Sequence, residues 1–226
     1  DYYSSIYADA FSVIGLAEYS KVTRDRSIGL TSEKIMDSML RRIDQGGYKT
    51  APYEIPSPYN SHGIPMIIIS TLRVLSSMKE SFSEDVSRLY REEKKYLDLI
   101  FSLHYDRETN LIREYVSPSP DYSRLLDRHI NPGHTLEDAW FWIESMESQG
   151  VLSENIALIS DIIKKTFDIS WDNEYGGLFR FVDRKGGKPK GKTNGSSYEC
   201  LVKETWNMKL WWPHSEMLYL FLKMFF

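Results

Sequence analysis

Asn131-Pro132-Gly133-His134-Thr135-Leu136-Glu137-Asp138-Ala139-Trp140 is the densest run of chemistry-bearing residues in the chain. Asn-Pro-Gly makes a turn, and a helix starts just after it. His134 then stands at the helix entrance, with Glu137 three residues on and on the same face. An imidazole held beside a carboxylate can act as a general base near neutral pH. The same spacing suits a capping histidine, or a core histidine bonded to Glu137, and His-x-x-Glu alone does not separate these. A metal pair is the third option, but no Cys or second His stands at ligand spacing, so the sequence predicts no metal site.

Lys209-Leu210-Trp211-Trp212-Pro213-His214-Ser215-Glu216 is the second run. Paired tryptophans beside His214 and Glu216 form a flat apolar wall with polar groups at its edge. Sugar rings present apolar C–H faces and a hydroxyl rim, so such a wall suits them. A tryptophan-rich core with His214 as a polar neighbour explains the same residues. In Trp171-Asp172-Asn173-Glu174-Tyr175-Gly176-Gly177-Leu178 the Gly-Gly pair predicts a tight turn. Calcium binding by Asp172 and Glu174 lacks the further oxygen ligands it needs.

His62 precedes an apolar helix beside Asn60 and is expected to point into a cleft. His104 ends a charged helix, where a cation suits the dipole and a cap is expected. His129 follows a charged run and is expected at the surface. Cys200 has no His–Asn partnership and reads as a small packed residue. Gly191-Lys192-Thr193 resembles a P-loop tail, but no buried strand leads into it and no glycine fingerprint is present.

The elements that must position these groups are mainly helical. Residues 4–22 place Ile6, Ala10, Val13, Ile14 and Ala17 on one stripe. Thr23 to Gly29 reads as a charged turn, with a short helix opening at Thr31-Ser32-Glu33-Lys34 and running toward Asp44. Pro52, Pro56 and Pro58 make 51–60 a loop or extended segment. Ile64 to Leu75 is an apolar helix that tolerates Pro65 in its first turn. Ser83-Glu84-Asp85 caps a helix to about Leu103, with Arg91 to Lys95 as a solvated charge run. Helices are predicted over 134–149 and 153–168, and a last one from Trp211 to Phe226.

Asp106 to Val116 and Asp172 to Val182 both read as a turn followed by a short alternating strand. Helix, helix and turn-strand thus recur at a period near sixty residues, the signature of stacked helical hairpins. Gly186 to Ser197 is a flexible loop. The last helix ends on Leu220-Phe221-Leu222-Lys223-Met224-Phe225-Phe226 without a capping signal, so the chain reads as cut from something longer.

Composition bounds the function classes. At 226 residues the chain suits one domain or two small ones. Its 28 basic and 32 acidic side chains argue against a nucleic-acid partner, which needs a basic face. The one cysteine excludes an internal disulfide framework and fits a reducing compartment, so a cytoplasmic location is expected. No apolar run reaches the roughly 18 residues that span a bilayer, so no membrane partner is expected. Fifteen Tyr and six Trp lean toward a ring-shaped ligand such as a carbohydrate, though an aromatic-rich core would use them as well.

Taken together, the motifs resemble those of a family. Asn131-Pro132-Gly133-His134-Thr135-Leu136-Glu137, with Trp140-Phe141 following, resembles the central motif of the N-acylglucosamine 2-epimerases, also known through renin-binding protein. Trp171-Asp172 and Tyr175-Gly176-Gly177-Leu178 resemble its turn-strand motif. Met208 to Glu216 resembles its tryptophan–histidine–glutamate motif. Tyr7-Ala8-Asp9-Ala10-Phe11, Gly15 to Tyr19 and Ile64-Pro65-Met66-Ile67 are weaker echoes. The motifs occur in the family's order over nearly the whole chain.

The resemblance implies an all-α fold, an incomplete (α/α)6 toroid or barrel with short β-hairpin-like turns between helix pairs. It implies one partial domain over 1–226, truncated at both ends. It also implies interconversion of N-acetylglucosamine and N-acetylmannosamine, by proton abstraction at C2 of the ring-opened sugar and reprotonation on the opposite face. His134 matches a catalytic histidine of the family, and Glu137 and Glu216 match carboxylates of its active site. Trp211 and Trp212, with His214, Lys209 and His62, are the expected substrate contacts. No cofactor is required on this reading; ATP is an expected allosteric effector, an amino sugar the small-molecule partner, and a homodimer the expected assembly.

The family's second catalytic histidine lies in a Phe-His-x-Pro-Arg motif that nothing here matches, nor is its early arginine-containing segment present. The fragment is therefore expected to be catalytically incomplete alone. Two alternatives stand beside this reading. One is an aldose–ketose isomerase or cellobiose-type 2-epimerase; the other is a non-catalytic interaction protein, renin-binding-like or a truncated isoform.

Overall fold

The structure, a computed structural model, describes residues 5–225; the first residue of the expected opening helix, Ser4, and the last of the closing helix, Phe226, lie outside them. Helices dominate, and the strands are two residues long. The chain divides into two compact units.

The first unit takes residues up to Ile55 and from Ile64 to Asp98. It holds α1 (Ile6–Thr23) and α2 (Arg26–Asp44), nearly all of α3 (Gly63–Ser81), and most of α4 (Ser87–Leu99). The Ser5 hydroxyl caps α1 by accepting the Tyr7 N–H, and left-handed Arg24 ends it. The expected long turn over Thr23 to Gly29 is much shorter, because Asp25 caps α2 and the helix begins at once at Arg26. Ala10, Val13, Ala17, Met36, Met39, Leu72, Leu75 and Met78 are buried. Backbones come close here. A Cβ on Gly29 would stand 2.9 Å from Ser20 Oγ and 3.0 Å from Met78 Sδ, so the site accepts glycine alone without rearrangement. The charge run on α4 is solvated except at Glu93, which is fully buried.

The second unit takes Pro56–Gly63 and Leu99–Phe226. α4 passes into a π-helical turn, Ile100–His104. Three antiparallel ribbons follow from short strands: β1 (Asn60–Ser61) with β4 (Tyr115–Val116), β2 (Tyr105–Asp106) with β3 (Leu111–Ile112), and β5 (His129–Ile130) with β6 (Val182–Asp183). The expected turn-strands at 106 and 172 are therefore shorter than their alternation suggests; the second contributes only an isolated Trp171–Leu178 bridge before β6. Leu111, Ile130 and Val182 pack together beneath these ribbons.

Four helices complete the unit: α5 (Pro132–Ser148), α6 (Leu152–Ser170), α7 (Ser197–Thr205) and α8 (Trp211–Phe225). Asn131 caps α5, and Pro132 occupies its first turn, where a missing N–H costs nothing. Ser196 and Glu199 form a reciprocal capping box on α7. Trp142 of α5 is fully buried, with its ring 5.0 Å from Phe101 of the π turn. The Gly186 to Ser197 segment is pinned rather than free. Leu125 N–H donates to Lys192 O and Lys192 N–H to Ser123 O, and Gly191 (φ 128) lies so close to the Leu125 backbone that a Cβ would meet it at 2.5 Å. On α8, Leu218, Leu222 and Phe225 are exposed apolar residues. Cys200 is exposed rather than packed.

In the first unit Arg26 binds Glu84 through two nitrogens and reaches Glu33 at 2.5 Å; Lys79 adds 2.7 Å and 3.3 Å contacts to Glu84 and Glu33. The Arg26 hydrogen bonds, with help from Lys79, hold the Glu84 carboxyl down at about 2, against 4.5 for a free one. A carboxyl lowered in the folded state stabilises the fold above its unfolded value and loses that contribution as pH falls through the folded one. Glu84→Gln should thus lower the urea midpoint at pH 7, and the gap to the parent should close between about pH 4.5 and 2.

Candidate active site

The site grows from one ribbon register and one helix start. Pairing of β1 with β4 sets Ser61 opposite Tyr115, and the next N–H, that of His62, donates to the Glu114 carbonyl at 2.8 Å. His62 and Glu114 therefore lie side by side. The β5 strand delivers the chain to Asn131, whose side chain accepts the His134 N–H at the start of α5. His134 is thereby aimed at Glu114. Its Nδ1–H donates to both carboxylate oxygens, at 3.0 Å and 3.1 Å. On the other side His62 Nε2 meets Asp138 Oδ2 at 2.7 Å, and His62 Nδ1 faces Glu114 Oε2 at 3.9 Å. Asp138, His62, Glu114 and His134 make a continuous polar row, all fully buried except His134, whose side chain is 28% exposed.

Charge follows from this geometry. Burial works against the Glu114 carboxylate, but the charge and hydrogen bond of His134, with help from His62, hold it down at about 2. Burial likewise opposes charge on His134, and Glu114 overcomes it, lifting the imidazole to about 9. Glu137 lies one turn along α5, half-buried. Burial raises it to about 7, with Glu216 and Asp138 pushing the same way against the pull of His134. Burial also raises Asp138. Glu216 of α8 accepts the Trp140 Nε1–H at 2.9 Å. The Trp212 ring lies 5.8 Å from that of His134.

The sequence profile of the N-acylglucosamine 2-epimerase (GlcNAc 2-epimerase) family matches residues 1–223. The chain belongs to this family. It is 28% identical to the N-acylglucosamine 2-epimerase of Mus musculus over 221 residues, and 24% identical to that of Homo sapiens. These matches cover 96% of the chain but 49% and 48% of those proteins, so the chain spans about half their length. Among solved structures it is similar to the cellobiose 2-epimerase of Bacillus thermoamylovorans (TM-score 0.67, 16% identity) and to a D-mannose isomerase (TM-score 0.66, 14% identity). Both cover nearly all of the chain, 98% and 97%, and the chain covers 54% and 56% of them. The fold is accordingly mostly helical and similar to that of these (α/α)6 structures.

Of the residues singled out for this family's motifs, the fold brings His134, Glu137, Glu216 and Trp212 together. Trp211 is 80% exposed at the start of α8. His62 does not reach a cleft, because Asp138 and Glu114 enclose it and it is fully buried. Lys209 and His214 serve the neighbouring turn. Lys209 binds Asp172 at 2.6 Å and lies over the Phe179 ring, and His214 Nε2 accepts the Leu178 N–H while its Nδ1–H donates to Leu210 O. Asp172, read as a weak calcium ligand, instead caps the Glu174 and Tyr175 N–H groups.

His104 and His129 are both buried. The His104 Nδ1–H is tied to Arg113 O, and burial drives its value down to about 3. His129 is covered because its ring packs among those of Tyr115, Phe181 and Tyr198. Sequence reasoning missed Glu114, and it passed over Asp138 and Trp140 within the motif. The sequence offers no second histidine at ligand spacing, but the fold supplies His62 from a distant segment, within reach of Glu114 and His134.

At Gly133 α8 packs closely against the start of α5. A Cβ there would meet Trp212 Cη2 at 2.7 Å and Pro213 Cγ at 3.1 Å. Gly133→Ala should push Trp212 off His134 and cost about 1–3 kcal/mol. Urea unfolding followed by tryptophan fluorescence would show a lower midpoint and an altered native spectrum.

Proposed function

We propose that this chain provides the His134 half of a sugar 2-epimerase site, acting on N-acetylglucosamine and N-acetylmannosamine. The observation behind this reading is the His134–Glu114 pair. A fully buried carboxylate holds the proton on Nδ1, which fixes the tautomer and leaves Nε2, on a partly exposed ring, as the working nitrogen. Epimerisation at C2 of the ring-opened sugar removes the C2 proton, passes through an enediolate and returns a proton to the other face. An imidazolium stabilised by Glu114 can donate from Nε2, and the imidazole it leaves can accept in the reverse direction. Glu137, held near neutrality, suits exchange of a proton with a hydroxyl or the enediolate oxygen. Trp212 offers its face to the apolar side of the sugar.

Inversion needs a second acid–base group across the substrate. Glu137 and Glu216 lie along the same α5–α8 side as His134, and neither is placed to do this. The family motif that brings the second histidine has no match here. The runner-up reading, a cellobiose-type 2-epimerase or an aldose–ketose isomerase, uses the same proton transfer on another sugar. The solved structures this chain resembles support it as far as the fold. An assay of all three sugar classes with a full-length family member containing this segment separates the two readings.

One base alone makes a specific prediction. In D2O the chain should wash deuterium into C2 of one N-acetylhexosamine epimer faster than it forms the other, read by proton NMR. His134→Gln should lower that exchange by about 10²–10⁴-fold. Fast inversion by the 226-residue chain, or exchange unaffected by His134→Gln, would overturn the assignment. The exchange rate should also inflect near pH 7, where Glu137 titrates, and Glu137→Gln should remove that inflection.

A further inference from the structure

Behind His134 the fold assembles three ligand atoms that proton transfer does not require together. His62, Glu114 and His134 each offer one, and these atoms all lie within 4.8 Å of one another. His62 is fully buried, yet its Nδ1 has no hydrogen-bond partner. It faces Glu114 Oε2 across 3.9 Å, too far for a hydrogen bond and wide enough for an atom between. The other ring nitrogen is already held by Asp138 at 2.7 Å. A carboxylate on the far nitrogen is what commonly orients a metal-binding histidine, fixing the N–H there and keeping the near nitrogen as a lone pair.

We propose that His62 Nδ1, Glu114 and His134 Nδ1 form a binding site for one borderline divalent transition cation, with zinc as the type. Two imidazoles and a carboxylate are the donor set of such ions, whereas magnesium and calcium prefer a shell of oxygens. Ligands bonded to one zinc at about 2.1 Å stand about 3–4 Å apart. The 3.0 Å and 3.9 Å separations at Glu114 already lie in that range, and the His62 and His134 ligand atoms, within 4.8 Å of each other, draw together on binding. On binding, the cation takes the place of the His134 Nδ1 proton, which is released to solvent. His134 then keeps its N–H on Nε2 and has no lone pair to accept the sugar proton. Occupancy therefore switches the base off. That consequence rests on the proposed function; the binding itself does not.

Cobalt(II) titration of the metal-free protein tests the site, followed by visible absorption with zinc as competitor. One cobalt per chain should bind, with the spectrum of a nitrogen–oxygen site, and one zinc should displace it. His62→Asn and His134→Asn should each weaken binding by at least about tenfold. His214→Asn, whose ring is bonded to the Leu178 turn, should leave it unchanged. Circular dichroism and urea midpoints check that each variant is folded, and His134→Asn, at the partly exposed end of the row, remains informative if His62→Asn unfolds. Stoichiometry above one, or binding indifferent to both His62 and His134, overturns the site. Histidine-dependent binding that leaves C2 exchange at full rate overturns the inhibition and retains the site.

Discussion

A carboxylate sealed from water must be compensated, and the second unit is organised around one. Glu114 is fully buried, and an ionised carboxylate so placed costs several kcal/mol unless opposite charge and hydrogen bonds meet it. His134 meets it from α5 and His62 approaches it from beside β1. Asp138 is in turn buried, and His62 is the group that answers it. Removing one member would strand another, so the row is stable only when all four residues are delivered together. This explains why short elements matter here more than long ones.

The delivery is done by backbone. The β1–β4 register and the His62 N–H to Glu114 carbonyl bond fix two members with three consecutive pairings. The β5–β6 ribbon ends where Asn131 begins to cap α5, and that cap sets the direction in which His134 leaves the chain. Asp138 follows one turn later on the same helix. Two-residue strands contribute little stability as sheet. Their effect is positional: they bring segments far apart in sequence to within a hydrogen bond, over a small apolar cluster of Leu111, Ile130 and Val182.

This division explains what could be read in the sequence. Most helices and the Asn-Pro-Gly start of α5 were legible because capping and apolar spacing are local signals, whereas α7, nine residues opening straight from a glycine-rich loop, was not predicted. His134 and Glu137 were legible with them, and Trp212 and Glu216 through their motif. Glu114 was not, since its meaning comes from His62 and His134, and neither is near it in sequence. Lys209 and His214 lie in the same motif as Trp212, yet the fold turns them toward Asp172 and Leu178. Proximity in sequence assigned them to the sugar, and hydrogen bonding assigns them to the turn. His129 illustrates the reverse error. A charged flank suggested exposure, but Arg128 pairs with Asp183 and the ring packs among Tyr115, Phe181 and Tyr198.

The five histidines of the chain share one chemistry and differ only in surroundings. Burial keeps His104 and His129 from charging, and their Nδ1 atoms are tied to backbone carbonyls. His214 accepts at one nitrogen and donates at the other, so neither is available to a substrate. His62 is fully buried, enclosed between two carboxylates. His134 alone combines an anionic partner at one nitrogen with a second nitrogen outside the row, on a ring that solvent reaches. Proton transfer to an external molecule needs both conditions at once. The stabilising partner lets the ring change charge inside a low-dielectric site, and the exposed nitrogen lets the proton leave. A carboxylate without exposure gives a histidine that cannot trade a proton with an external molecule, as at His62, and the structure contains both outcomes on either side of the same Glu114.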